Sequence, residues 1–89
     1  MQIVRYSTQF KKDLKLMTKR RYKMSRLYEV MKALESEEVL DEKYKEHPLF
    51  GNYKGYLECH IESDWLLIYK IDHQDLYFAR TGTHSDLFN

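Results

Sequence analysis

The sequence predicts an α+β fold, a small antiparallel sheet with two N-terminal helices packed on one face. Three observations lead there. Gly and Pro are absent before position 48, so no breaker interrupts the front half, where apolar residues recur at helical spacing. From Tyr56 onward the texture changes to three short runs rich in aromatic and β-branched residues, each closed by polar residues. The chain has 89 residues, and a chain of that size withdraws only roughly 60–65% of its unfolded surface from water, so helices and strands must share one small core. A single domain over residues 1–89 is expected, without repeats, low-complexity tracts or linkers.

The elements follow in order. Ile3 and Val4, within the run Gln2 to Tyr6, read as a short strand at the sheet edge. Ser7 can cap the next helix, on which Phe10, Leu14 and Met17 form the core-facing stripe while Lys11, Lys15 and Lys19 stack on another face. Ser25 reads as the cap of a second helix with Leu27, Val30, Met31 and Leu34 as its apolar stripe. Neither serine is followed three residues later by the Glu or Gln that completes a capping box. Residues 35–55 are acidic and then turn-like, and Pro48, Gly51 and Gly55 argue for an irregular connection. Tyr56 to Ile61, Trp65 to Ile71 and Leu76 to Thr81 read as strands whose short polar breaks fit an antiparallel meander. The order is then β-α-α-β-β-β. Leu57, Cys59 and Ile61 should meet the helices, which sends Tyr56, Glu58 and His60 to the opposite, open face. Strict alternation puts Arg80 on the side of Leu76 and Phe78.

Composition excludes several classes. The longest apolar run, Trp65 to Tyr69, has five residues, far below the ~20 that a membrane helix needs. No apolar stretch follows Arg5, so a secretory signal is not expected. Cys59 stands alone and cannot form an internal disulfide. These features point to the cytoplasm. The net charge of +1 hides an asymmetry. Residues 1–34 carry ten Lys and Arg against two acids, a net +8, and residues 35–89 carry five against twelve, a net −7. A polyanion, or a protein of complementary charge, is the partner that such a front half suits.

The candidate chemistry lies with the histidines. His60 ends a strand, and a hairpin turn can bring Asp64 close to it. A tail folded back can add His84, with Arg80 and Lys54 as nearby cations. Two histidines, or a histidine and an aspartate, can serve as base and acid in one reaction near neutral pH. RNA brings its own nucleophile in the 2′-hydroxyl. Its cleavage needs a base for that hydroxyl, an acid for the leaving 5′-oxygen and cations for the charged phosphorus, with no metal in principle. His47, His60, Asp64 and His84 are alternatively zinc-ligand types, but their spacing matches no compact zinc motif, so neither metal nor cofactor is expected. Trp65, Leu67 and Tyr69 read as packing, His73 as a solvated turn residue, and Cys59 as a small buried apolar group. Phe88, near the terminus, either docks the tail or stacks on a base. No Gly-rich phosphate loop, CxxC or GxSxG is present.

The runs Tyr44-Lys45-Glu46-His47-Pro48-Leu49-Phe50-Gly51, Lys54-Gly55-Tyr56, Glu58-Cys59-His60, Asp64-Trp65-Leu66-Leu67-Ile68-Tyr69, Arg80-Thr81-Gly82-Thr83-His84 and Leu87-Phe88 closely resemble the YafQ-type toxins of the RelE/ParE superfamily of bacterial toxin–antitoxin modules. The resemblance spans the chain and is strongest over residues 44–88. It implies a metal-independent endoribonuclease that cuts messenger RNA on the ribosome, leaving a cyclic phosphate and a 5′-hydroxyl. It also implies inhibition by a cognate antitoxin, through which operator DNA is contacted indirectly. Carried over by position, His47, His60, Asp64 and His84 match the acid–base cluster, with Asp64 or His47 as base and His84 as acid. Arg80 matches a phosphate-contacting arginine, Phe88 the terminal aromatic that positions substrate and Trp65 a residue tied to site integrity; together with the nearby cation Lys54 they are the candidate substrate-binding residues. Leu57 departs from the arginine many relatives carry there, which removes a charge without emptying the cluster. Two alternatives stand beside this: a non-enzymatic ParE-like toxin acting on gyrase, which has no need of a histidine cluster, and an inactive antitoxin-binding corepressor.

Overall fold

A computed structural model describes residues 2–88. The chain runs through β1 (Ile3–Tyr6), α1 (Thr8–Lys19), α2 (Met24–Glu35), a 3₁₀ turn (Glu42–Tyr44), β2 (His47–Pro48), a second 3₁₀ turn (Gly51–Tyr53), β3 (Leu57–Glu62), β4 (Trp65–Asp72), β5 (Asp75–Gly82) and α3 (His84–Phe88). The strands form one sheet in the order β1-β5-β4-β3-β2. The expected meander is present as β3-β4-β5, all antiparallel, and β1 lies at the edge as expected but runs parallel to β5. The sheet is therefore mixed.

Ser7 caps α1 as its sequence position suggests: its hydroxyl accepts from the Phe10 N–H at 2.8 Å and donates to the Ala79 carbonyl at 2.6 Å. Ser25 does not cap α2. The helix starts one residue earlier, at Met24, with Lys23 in the capping position and no side-chain cap. Arg21, with φ 64°, turns the chain in a left-handed step, and this sets the helix start ahead of the serine.

Packing divides the sheet into two sides. Phe10, Met17, Leu27, Val30, Met31 and Leu34 of the helices bury the side carrying Cys59, Ile61, Trp65, Leu67, Tyr69, Leu76 and Phe78. The opposite side is not open throughout. Leu66, Ile68 and Ala79 are covered by Leu87 of α3, with Leu49, Tyr53, Tyr56 and Tyr77 packed around them. The tail is thus a short helix that caps the second side, and residues 47–56 contribute a strand and a turn where an irregular connection is expected.

One correction decides where Arg80 points. The β4–β5 pairing shifts register, Ile68 facing Arg80 but Tyr69 facing Phe78, so Ala79 is an extra residue. Such a bulge breaks the two-residue alternation. Arg80 therefore leaves the helix-facing side of Leu76 and Phe78 and joins the side of Ile68. His47 faces Glu58, Glu58 faces Ile68 and Ile68 faces Arg80, so the four form one row across β2, β3, β4 and β5.

Candidate active site

The site is built on this second side. His47 enters from β2, whose approach is fixed by Lys45 in a left-handed conformation at φ 51°. The His47 Nδ1 lies 2.7 Å from the Lys45 carbonyl. A carbonyl can only accept, so Nδ1 carries its hydrogen. The ring's Nε2 lies 3.1 Å from Glu58 Oε1, and His60 Nε2 lies 3.7 Å from the same oxygen. Glu58 is buried, and its Oε2 has no hydrogen-bond partner among the described residues. His47, Glu58 and His60 place one ligand atom each within 4.8 Å of one another, a set able to hold a divalent ion.

His84 opens α3. Its Nδ1 lies 2.6 Å from Asp64 Oδ1, and its backbone N–H donates to the same oxygen at 2.9 Å. The backbone hydrogen bond, followed by the ring contact, holds the Asp64 carboxyl below the usual carboxylate range. Asp64 is therefore an anion that accepts the Nδ1 hydrogen. The far nitrogen, Nε2, is left free to face a substrate. The β3–β4 hairpin supplies this pairing, since Ser63 and Asp64 form its two-residue turn between Glu62 and Trp65.

The rings continue as a strip. Centroid separations are 6.0 Å from His47 to His60, 5.9 Å to His84 and 6.4 Å to Phe88. They are 5.8 Å onward to Tyr53 and 5.9 Å to Tyr56. Phe88 is half exposed. Base and acid candidates thus adjoin a run of aromatic faces suited to stacking bases.

Arg80 is gripped from behind. Its Nε and Nη2 donate to Asp13 of α1 at 2.8 and 3.2 Å, and Asp13 also accepts from the Thr81 N–H at 3.1 Å. Asp13, with Ser7, satisfies the stretch of β5 that lies beyond its pairing with β1. The Asp13 hydrogen bond raises the Arg80 guanidinium further above its ordinary value, so it is a permanent cation on the row of His47 and Glu58.

A family model described as the bacterial YafQ toxin of type II toxin–antitoxin systems matches residues 2–89. This chain belongs to the YafQ family. It is 46% identical over 86 residues to the mRNA interferase toxin YafQ of Escherichia coli K12, covering 96% of this chain and 94% of that one. The crystal structure of YafQ from E. coli BL21(DE3) superposes with TM-score 0.97 at 43% identity, covering both chains fully. YafQ in the E. coli DinJ–YafQ complex gives 0.93 at 44%, again over both chains. A metal-bound toxin from Helicobacter pylori gives 0.89 at 41%, over 99% of this chain and all of that one.

Within this YafQ fold the structure gathers His47, His60, Asp64, His84 and Phe88 into one site and puts Arg80 on the same side. Lys54 is exposed at the end of the second 3₁₀ turn. Trp65 is not on the surface. It is fully buried, its indole N–H donates to Thr81 Oγ1 at 3.0 Å, and Tyr22 packs edge-on 5.1 Å away. Its burial leaves it no exposed face in this structure, and it packs directly after the Asp64 turn. Glu58, Asp13 and Tyr53 are the additions. Glu58 had a signal, since strand alternation places it beside His60. Asp13 had none beyond being one of two acids in a basic half.

Proposed function

We propose that this chain is the toxin of a type II toxin–antitoxin pair and an endoribonuclease that cuts messenger RNA on the ribosome, in the cytoplasm, with acid–base catalysis by its own side chains. The curated E. coli relative is named an mRNA interferase, and the charge asymmetry of the front half suits a ribosomal RNA partner. The observation that carries the reading is the His84–Asp64 pair, which engages Nδ1 and leaves the other ring nitrogen for a substrate, with the ring centroid 5.9 Å from that of His60. The solved DinJ–YafQ complex supports a cognate antitoxin as the second partner.

The roles follow from hydrogen-bond capacity. Asp64 already accepts two hydrogen bonds and is held below its ordinary range, which makes it a poor base and a good orienter. His84 is then the general acid, giving the Nε2 proton to the leaving 5′-oxygen. His60 is the general base, taking the 2′-hydroxyl proton, with the Glu58 carboxylate stabilising the imidazolium that forms. The His47 ring and the Arg80 guanidinium face the phosphorane charge. The 2′-oxygen attacks phosphorus as the 5′-oxygen departs, giving a 2′,3′-cyclic phosphate and a 5′-hydroxyl. The role of Phe88 and Tyr53 is to stack flanking bases.

The reaction needs no metal, since the nucleophile belongs to the substrate. A divalent ion held by His47, Glu58 and His60 would consume the base, so added Zn²⁺ should inhibit, and a zinc-selective chelator that spares ribosomal Mg²⁺ should leave the rate unchanged. Primer extension on a defined transcript in a translating extract tests the main reading. Discrete new 5′ ends are expected with the wild type, and none with His84→Ala or without ribosomes. Folded protein that yields no new ends would transfer the reading to gyrase binding or to antitoxin binding alone.

A further inference from the structure

The helix that carries His84 has only five residues, too short to hold its own position, since isolated helices below ~12 residues are marginal in water. Its anchoring is concentrated on one side chain. Asp86 Oδ2 accepts from the Thr83 N–H at 2.9 Å, and the Asp86 N–H donates to Thr83 Oγ1 at 3.1 Å. This is a reciprocal cap of the capping-box kind, with Asp in place of the usual Glu. The same carboxylate takes two hydrogen bonds from Arg20, at 2.7 and 3.2 Å, across 66 residues of sequence. Arg20 closes the C-terminus of α1, its own N–H bonded to the Leu16 carbonyl, and its guanidinium lies 3.9 Å from the sulfur of buried Met17. Room for the carboxylate comes from Gly82, where an added Cβ would lie 3.0 Å from both Asp86 Cβ and Oδ2.

We infer that Arg20 and Asp86 form a latch that positions the general acid, locking the start of α3 to the end of α1 so that the His84 ring stays on Asp64. The inference rests on the catalytic reading of His84. It names two positioning residues outside the His/Asp cluster, neither of which touches substrate. A lone ion pair at the surface contributes little. This one is bidentate and shares its carboxylate with a helix cap, which fixes direction as well as distance. Leu87 in the second cluster and Phe88 edge-on to Tyr53 hold the far end of α3, and Asp86 holds its first turn, next to the His84 contacts with Asp64.

The test uses Asp86→Asn, which retains an acceptor for the Thr83 N–H but loses the charge, with Arg20→Ala, the double variant and Gly82→Ala, each checked for folding by thermal unfolding. Cleavage of ribosome-bound message should show kcat lowered about tenfold in each single variant, as for a small misplacement of a reacting group, with KM unmoved. The Arg20→Ala/Asp86→Asn double should be no slower than either single, and Arg20→Lys should recover part of the loss. The second readout needs no cleavage: the ¹H–¹⁵N imidazole spectrum of the free toxin, in which the His84 Nδ1–H held on Asp64 should shift or broaden in Asp86→Asn. Unchanged kcat with an unchanged His84 signal overturns the latch, as do single effects that simply multiply in the double. A displaced His84 signal with unchanged cleavage keeps the latch and overturns the catalytic reading of His84.

Discussion

The two sides of the sheet are built from the same strands and spend their residues differently. The helix-facing side is dry and continuous, with Phe10, Met17, Leu27, Trp65, Leu67, Tyr69, Leu76 and Phe78 all fully buried. The other side has a smaller cluster under α3 and the 49–56 segment, and around it stand His47, Glu58, His60, His84 and Arg80. Even the tyrosines divide. Tyr69, buried and bonded to Glu46, has its hydroxyl pushed far above its ordinary range by burial and that carboxylate, whereas Tyr53, against Phe88, and Tyr56, against Tyr53, are only partly buried. Cys59 on the helix side is likewise silenced, its thiol pushed up to about 12 by burial. The main core and the proposed chemistry are separated by the thickness of one sheet, and substitutions on the two sides should therefore have different signatures.

The largest separation is expected between His84→Ala and Trp65→Ala. The first removes a half-exposed ring and should cost at least ~10²-fold in cleavage, the scale of a lost general acid, with only a small fall in the unfolding midpoint from the lost Asp64 contact. The second opens a cavity and removes the indole donor to Thr81, whose hydroxyl keeps its bond to the Leu66 carbonyl, costing about 3–5 kcal/mol in denaturant unfolding. A large stability loss for His84→Ala would break the division.

Asp13 is the residue that should refuse it. It lies buried on the helix side yet grips Arg80 on the other. Asp13→Asn should lower stability by about 2 kcal/mol, the scale of a charged hydrogen bond lost, and also lower cleavage. Single-turnover rates beside unfolding curves would read both. A loss of stability alone would mean that Arg80 keeps its place without its partner.

Acid should act on the chemical side first, and more gently. Asp86 is held at about 2 by Arg20 and then by the Thr83 N–H, and Asp64 is lowered by its His84 contacts. Groups depressed in the folded state stabilise it above their unfolded pKa, roughly 3.9, and that contribution fades as pH falls through the folded value. Between about pH 4 and pH 2, α3 amides should lose hydrogen-exchange protection before β4 amides do. Simultaneous loss would show that α3 has no separate anchoring.

Much of this was legible beforehand, and the gaps have physical causes. Periodicity placed both helices and the meander to within a residue or so, because each buries one regular face. It misplaced Arg80 because a bulge leaves no mark in a run such as Phe78-Ala79-Arg80. It passed over α3 because five residues are too few to show a period, although Thr83 and Asp86 stand at capping spacing. It read Ser25 as a cap because the left-handed step at Arg21 acts on the backbone and not on residue type. The histidines were found as a set from their chemistry and from the family resemblance. Their pairing through Asp64 and Glu58 depended on strand register.

The assignment of His84 as acid is the centre of the account, and a message with sulfur in place of the scissile 5′-oxygen tests it directly. A thiolate leaves without protonation, since thiols ionise near pH 8.5. On programmed ribosomes, His84→Ala should regain most of the wild-type rate with this substrate while His60→Ala stays slow. Failure to rescue His84→Ala, or rescue of His60→Ala in its place, would contradict the roles assigned to the two rings.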